Sequence, residues 1–153
     1  MAGNKNQMVQ MLLWMTIAFC CMTVGSACRC AIRRDENYCR NDIVFQGRLV
    51  ARHLEDAHIT GNWTFVFEVD RIFWTNNNFA GRRLVLTTPN STALCGVNFE
   101  VNLLYLVAAN QRDGQLYTIS CLGNVAWKYL DKNWKMFFSN RLQKLCASDE
   151  PLK

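Results

Sequence analysis

Residues 103–120, LLYLVAANQRDGQLYTIS, decide how this chain is read. Leu103 to Ala109 is an unbroken apolar run, too short for a spanning helix and suited to a strand buried on both faces. Asp113-Gly114 follows. That dipeptide supplies the two positive-φ positions of a tight hairpin turn, so Gln115 to Ser120 is expected to return as the next strand. Upstream, Arg83 to Thr88 (RLVLTT) stops at Pro89, a residue with no amide hydrogen to give a ladder. Trp63, Phe65, Phe67 and Val69 alternate with their neighbours, the period of a half-buried strand. Ile43 to Val50 is a fifth apolar-rich stretch. Five short strands of similar length predict a small closed barrel.

Two helices are expected beside it. Asp35 to Asp42 carries Cys39. From Asp131 to Cys146, the residues Trp134, Phe137, Phe138, Leu142 and Leu145 recur at three- and four-residue steps and form one apolar stripe. The expected fold is therefore mainly β, with two flanking helices. His53 to Thr60 is expected to be a short link between the first two strands. His53 and His58 flank Glu55 and Asp56 there, without the spacing of a zinc-binding helix, and read as a solvated turn. The aromatic residues 63, 65, 67, 134, 137 and 138 read as core.

The first 27 residues read as a targeting segment. Lys5 sits in a polar start, Met11 to Val24 (MLLWMTIAFCCMTV) carries no charge, and Gly25-Ser26-Ala27 supplies small residues before a cut. The apolar run is 14 residues long, short of the roughly 20 needed to span a bilayer. Cleavage after Ala27 is expected, so that residues 1–27 are a signal peptide and the chain is secreted, starting at Cys28. Cys20 and Cys21 leave with the signal. Cys28, Cys30, Cys39, Cys95, Cys121 and Cys146 remain, an even set that predicts three disulfides in an oxidising compartment. Three are crowded early and three are spread late. Pairing early with late closes three long loops, whereas local pairing leaves an odd partner. Zinc is the competing reading, although Cys28-Arg29-Cys30 lacks the two-to-four-residue gap of a zinc knuckle.

The net charge of +5 is modest, and its residues are scattered, unlike the dense basic face of a nucleic-acid binder. Arg82, Arg83, Lys128, Lys132, Lys135, Arg141 and Lys144 could touch sulfated matrix polysaccharide, against the plainer reading of a solvated face. Asn62-Trp63-Thr64 and Asn90-Ser91-Thr92 are glycosylation sequons. No nucleophile–base pair, acid pair or phosphate-cradling glycine loop is visible, so an enzyme is the least supported class.

Cys28-Arg29-Cys30 and Tyr38-Cys39-Arg40-Asn41-Asp42-Ile43-Val44 open the chain after the signal. Leu94-Cys95-Gly96, Tyr105-Leu106-Val107-Ala108-Ala109, Asp113-Gly114, Ile119-Ser120-Cys121, Trp127 and Cys146 follow. In that order they resemble the tissue inhibitors of metalloproteinases across residues 28–146. The resemblance implies a single netrin-like domain, an OB-like five-stranded antiparallel barrel, with residues 147–153 as a short tail. It does not extend to the second, six-cysteine domain of the vertebrate members. It further implies the pairs Cys28–Cys95, Cys30–Cys121 and Cys39–Cys146. Each would close a loop of roughly 70 to 110 residues, about 4–5 kcal/mol apiece in the chain-entropy model and not additive.

In that family the mature N-terminus is a wedge. The resemblance implies that the α-amine and carbonyl oxygen of Cys28 chelate the zinc of a partner protease, with no metal or cofactor of the inhibitor's own. Arg29 would enter the pocket beside the zinc, and Cys30, Ala31, Ile32, Thr92, Ala93 and Leu94 would line the contact. The expected partners are secreted or membrane-anchored zinc metalloproteinases, bound by a monomer in the extracellular space or matrix. Arg29 stands where better-known members carry Thr or Ser, and Ile32 where they carry Pro. The rival expectation is a non-inhibitory netrin-like module that binds matrix or a secreted partner.

Overall fold

The computed structural model describes residues 4–22, 28, 30, 35–55, 61–77, 79 and 81–148. The first element is helix α1 (Asn4–Met22), whose residues 7–16 are exposed throughout. No helix among the described residues is long and apolar enough to cross a membrane. The expected cut after Ala27 lies outside the described residues.

Six strands follow: β1 (Ile43–Leu54), β2 (Asn62–Thr75), β3 (Arg83–Pro89), β4 (Leu104–Arg112), β5 (Gln115–Tyr117) and β6 (Val125–Ala126). Their order is β1-β2-β3-β5-β4, and β1 also pairs with β4, so five strands close on themselves. The two-residue β6 adds to β4 on the outside of that circuit. Four seams of the barrel are antiparallel. The fifth, β3 with β5, is parallel and only two pairs long, a correction to the fully antiparallel barrel expected. The reason lies in the connections: β4 and β5 form a tight hairpin, which leaves β5 running the same way as β3 when it reaches the open edge. The hairpin turn is as expected, with φ of 50° at Asp113 and 81° at Gly114. Those left-handed positions suit a type I′ turn.

Alternation along the strands sends side chains to two cores. Ile43, Phe45, Leu49, Phe65, Phe67, Tyr105, Val107 and Ala109 fill the barrel interior. Val44, Phe73, Leu106 and Ala108 face outward into a second core under the helices. The apolar run of β4 is continuous because both of its faces are buried. Three register shifts in the β1–β2 ladder, at Val44/Phe45, Gln46/Gly47 and Leu49/Ala51, bend the long hairpin around the barrel. Inside, Phe99 meets Phe65, Phe67 and Tyr105 edge-on at 5.1, 5.2 and 4.9 Å between ring centroids. That is the favoured geometry of aromatic pairs.

The flanking elements differ in detail from expectation. Asp35–Arg40 is a 3-10 helix, closed by Asn41, whose backbone amide and Nδ2 both donate to the Tyr38 carbonyl. The long C-terminal stripe is two helices, α2 (Lys132–Asn140) and α3 (Leu142–Ser148), interrupted at Arg141. Ser139 and Asn140, poor helix formers, precede the break. Asp131 caps α2 by accepting from the Trp134 amide at 2.9 Å. Phe137, Phe138, Leu142 and Cys146 complete the second core with Tyr38, and the Cys39–Cys146 disulfide joins the 3-10 helix to α3. Trp134 is half-buried against this core, as Trp63 is against the barrel core. β1 runs to Leu54, so His53 belongs to a strand opposite Thr64 and not to a link. Its exposed edge position lets polar residues continue the ladder. His58 and Asp56 lie outside the described residues.

Candidate functional site

Two chain segments beyond the barrel strands carry Cys95 and Cys121, two of the three late cysteines. After β3, Ser91 caps a 3-10 turn, Thr92–Leu94: its Oγ accepts from the Ala93 amide at 3.2 Å. The Ser91 carbonyl accepts from the amides of Leu94 at 3.1 Å and Gly96 at 3.0 Å. Cys95 ends the turn in the left-handed region, φ 64°. Gly96 passes so close to Pro89 that any Cβ there would overlap the Pro89 carbonyl. The result is a turn whose Thr92, Ala93 and Leu94 all face solvent, with Leu94 49% exposed.

The second segment follows β5. Thr118 is fully buried and donates to the Ala108 carbonyl at 2.7 Å. Asn124 fastens the same stretch: the Ala108 amide donates to its Oδ1 at 2.9 Å, and its Nδ2 donates to Thr118 Oγ1 at 2.7 Å and to the Ile119 carbonyl at 2.9 Å. Cys121 sits in the 3-10 turn Ser120–Leu122 held this way. The Ser120 amide donates to the Cys95 carbonyl at 2.9 Å, which ties the two segments into one platform.

Two of the three early cysteines, Cys28 and Cys30, dock on that platform. Cys28 is bonded to Cys95 and Cys30 to Cys121, with Cα separations of 5.3 and 5.0 Å, inside the normal range for disulfides. Cys28 is half-buried and Cys30 exposed. The sulfurs of Cys28, Cys30 and Cys121 lie within 4.8 Å of one another. Each is already bonded in a disulfide. A zinc site needs free thiolates, so the zinc-knuckle reading does not suit this cluster.

The expected contact residues therefore divide. Cys28 and Cys30 are brought beside the exposed Thr92–Leu94 turn through Cys95 and Cys121. Arg29, Ala31 and Ile32 lie outside the described residues. The two sequons are neighbours: Asn62 pairs with Pro89 across the β2–β3 ladder, and the Asn90 amide donates to the Gly61 carbonyl at 3.0 Å. Of the basic set, Lys128 lies over the Tyr129 ring and Lys135 over that of Trp127. Arg141 and Lys144 line a cleft with Asp35 and Phe137. Asn124 and Ser120 were not legible as positioning residues. A polar residue in a short irregular segment has no periodic signal, and only the proximity of Cys121 could have drawn attention to it.

The family model described as tissue inhibitor of metalloproteinase matches residues 26–149. Metalloproteinase inhibitor 3 of Scyliorhinus torazame is 27% identical over 127 residues, which cover 80% of this chain and 58% of that protein. Metalloproteinase inhibitor 3 of Gallus gallus is 25% identical over 126 residues, covering 81% of this chain and 59% of the relative. The chain thus spans less than two thirds of the length of either relative. With the match running from before Cys28 to beyond Cys146, the chain belongs to the tissue inhibitor of metalloproteinase family.

Proposed function

We propose that this chain is a secreted, non-enzymatic inhibitor of zinc metalloproteinases, and that its mature N-terminus is Cys28. The observation that carries the reading is the Cys28–Cys95 bond, which joins the expected N-terminus to the exposed Thr92–Leu94 turn. Family membership and the names of the two relatives support it. A catalytic zinc keeps three protein ligands and an open position that holds water. The Cys28 α-amine and carbonyl oxygen would displace that water together as a five-membered chelate, with the zinc expanding to five ligands. Terminal amines titrate at about 7.7–8 in model peptides, so releasing a proton to solvent to free the lone pair for the metal costs little at neutral pH. The Cys28 sulfur takes no part, being bonded to Cys95. Disulfides to Cys95 and Cys121 fix the short wedge before it binds, which lowers the entropic cost of association.

Arg29 then occupies the pocket beside the zinc. A guanidinium is permanently charged and costly to bury unpaired. Proteases with an open-ended or acidic pocket are the expected targets, and closed apolar pockets the poor ones. Arg29→Thr should broaden the range, strengthening inhibition of closed-pocket enzymes by about 1–3 kcal/mol, the scale of an unsatisfied polar group. Inhibition constants across several catalytic domains check this; a uniform change would remove Arg29 from the pocket. The chain acts as a monomer with no metal of its own; Asn62 and Asn90 are its glycosylation sites, and a glycan on Asn90, next to the turn, would tune access.

The test is expression as a secreted protein, N-terminal sequencing, and titration of a matrix metalloproteinase catalytic domain. The expected result is a sequence starting at Cys28 and loss of protease activity. A protein that starts at Cys28 yet leaves the proteases active would overturn the reading in favour of a matrix- or partner-binding module.

A further inference from the structure

We propose that the two disulfides holding the N-terminus can exchange partners through the contact between Cys28 and Cys121, giving a thiol-triggered switch in the site. The proposal concerns regulation of the inhibitory site, but its primary reading, disulfide linkage, is independent of whether the chain inhibits proteases. Cys28 Sγ and Cys121 Sγ, which belong to different disulfides, are 3.5 Å apart. That is direct contact between two sulfurs, at the upper end of the roughly 3–3.5 Å from which atoms react. Cys30 is exposed, whereas Cys28, Cys95 and Cys121 are half-buried. The Ser120–Cys95 hydrogen bond keeps Cys95 and Cys121 side by side while the bonds change.

The steps balance with a small thiolate as catalyst. The thiolate attacks the exposed Cys30 Sγ; the Cys30–Cys121 bond breaks, and its electron pair leaves on Cys121 Sγ. The Cys121 thiolate then attacks Cys28 Sγ across the 3.5 Å contact. Cys28–Cys121 forms, Cys28–Cys95 breaks, and the electron pair leaves on Cys95. Finally the Cys95 thiolate attacks Cys30 Sγ in the mixed disulfide, forming Cys30–Cys95 and returning the small thiolate. This is ordinary thiol–disulfide exchange, with no net oxidation or reduction. The product carries Cys28–Cys121 and Cys30–Cys95. Cys28 is thereby detached from the segment carrying the exposed Thr92–Leu94 turn and tied to the neighbouring one. On the shared platform this shifts the α-amine relative to the turn, and the inhibitory edge with it. Cys39–Cys146 lies outside the three-sulfur cluster and stays as it is.

The sequence makes the exchange easy to read. Arg29 lies between Cys28 and Cys30, and Arg112 between Cys95 and Cys121, so trypsin places the four cysteines on separate peptides. The oxidised protein is incubated with substoichiometric reduced glutathione at mildly alkaline pH. Free thiols are then alkylated in acid, and the denatured protein is digested and mapped by mass spectrometry. Cys28–Cys121 and Cys30–Cys95 peptide pairs should appear together at the expense of the original pairs. Cys39–Cys146 and the total of free thiols should remain constant. In parallel, inhibition of a metalloproteinase catalytic domain should fall in proportion to the exchanged fraction. Glutathione found on Cys30 with Cys28–Cys95 intact and no Cys28–Cys121 pair would overturn the exchange. Exchange with inhibition undiminished would overturn its regulatory role.

Discussion

Inside the barrel, Phe45, Phe65, Phe67 and Phe99 are at most 1% exposed and hold their places by ring against ring. Cys95 and Cys121 sit in a region built by other means: two 3-10 turns, a left-handed cysteine, the side-chain bonds of Asn124 and Ser91, and two disulfides. Burial gives the barrel its stability, since each aromatic ring removed from water is worth more than any one polar bond. At the platform, polar bonds and covalent links set where an exposed turn and two early cysteines stand. The comparison teaches that stability and placement can be perturbed separately.

The largest expected effect comes from the barrel. Phe67→Ala removes a fully buried ring that meets Phe45, Phe99 and Tyr105, and should destabilise the fold by about 3–5 kcal/mol. Thermal or denaturant unfolding reads this. Molecules that remain folded should keep the wild-type inhibition constant. A matching loss of affinity at low temperature would erase the distinction between the two regions.

Asn124→Ala sharpens the comparison from the other side. It strips partners from the Ala108 amide, the Thr118 hydroxyl and the Ile119 carbonyl, a cost of about 1–3 kcal/mol in stability. Because those groups hold the segment bearing Cys121, inhibition should weaken even under conditions where the variant is fully folded. Unchanged inhibition constants would reduce Asn124 to a stability role.

The smallest effect is a calibration. Asp131→Ala removes the N-cap of α2 and should cost about 1 kcal/mol, with no change in inhibition. A change in inhibition here would mean that the platform responds to any loosening of the domain.

Legibility in the sequence followed the same division. The run Leu103 to Ala109, the alternation from Trp63 to Val69 and the Asp113-Gly114 turn announced strands of the barrel because burial on one or both faces leaves a period. Phe99 went unnoticed although it stands at the centre of the interior, since residues 96–100 belong to no helix or strand. The break at Arg141 was equally hidden: apolar spacing survives a one-residue interruption. Parity and placement pointed the early cysteines toward late partners, and the family resemblance implied which ones. The geometry between them was out of reach. The Ser120–Cys95 bond and the 3.5 Å contact between Cys28 and Cys121 arise only when segments distant in sequence are folded together.

The central claim is that a free Cys28 amine does the inhibiting. Its most direct test is the addition of one alanine ahead of Cys28 in otherwise identical secreted protein. The account predicts that the extended form keeps its disulfides and its unfolding temperature but loses inhibition of a metalloproteinase catalytic domain. Equal potency of the two forms would contradict it.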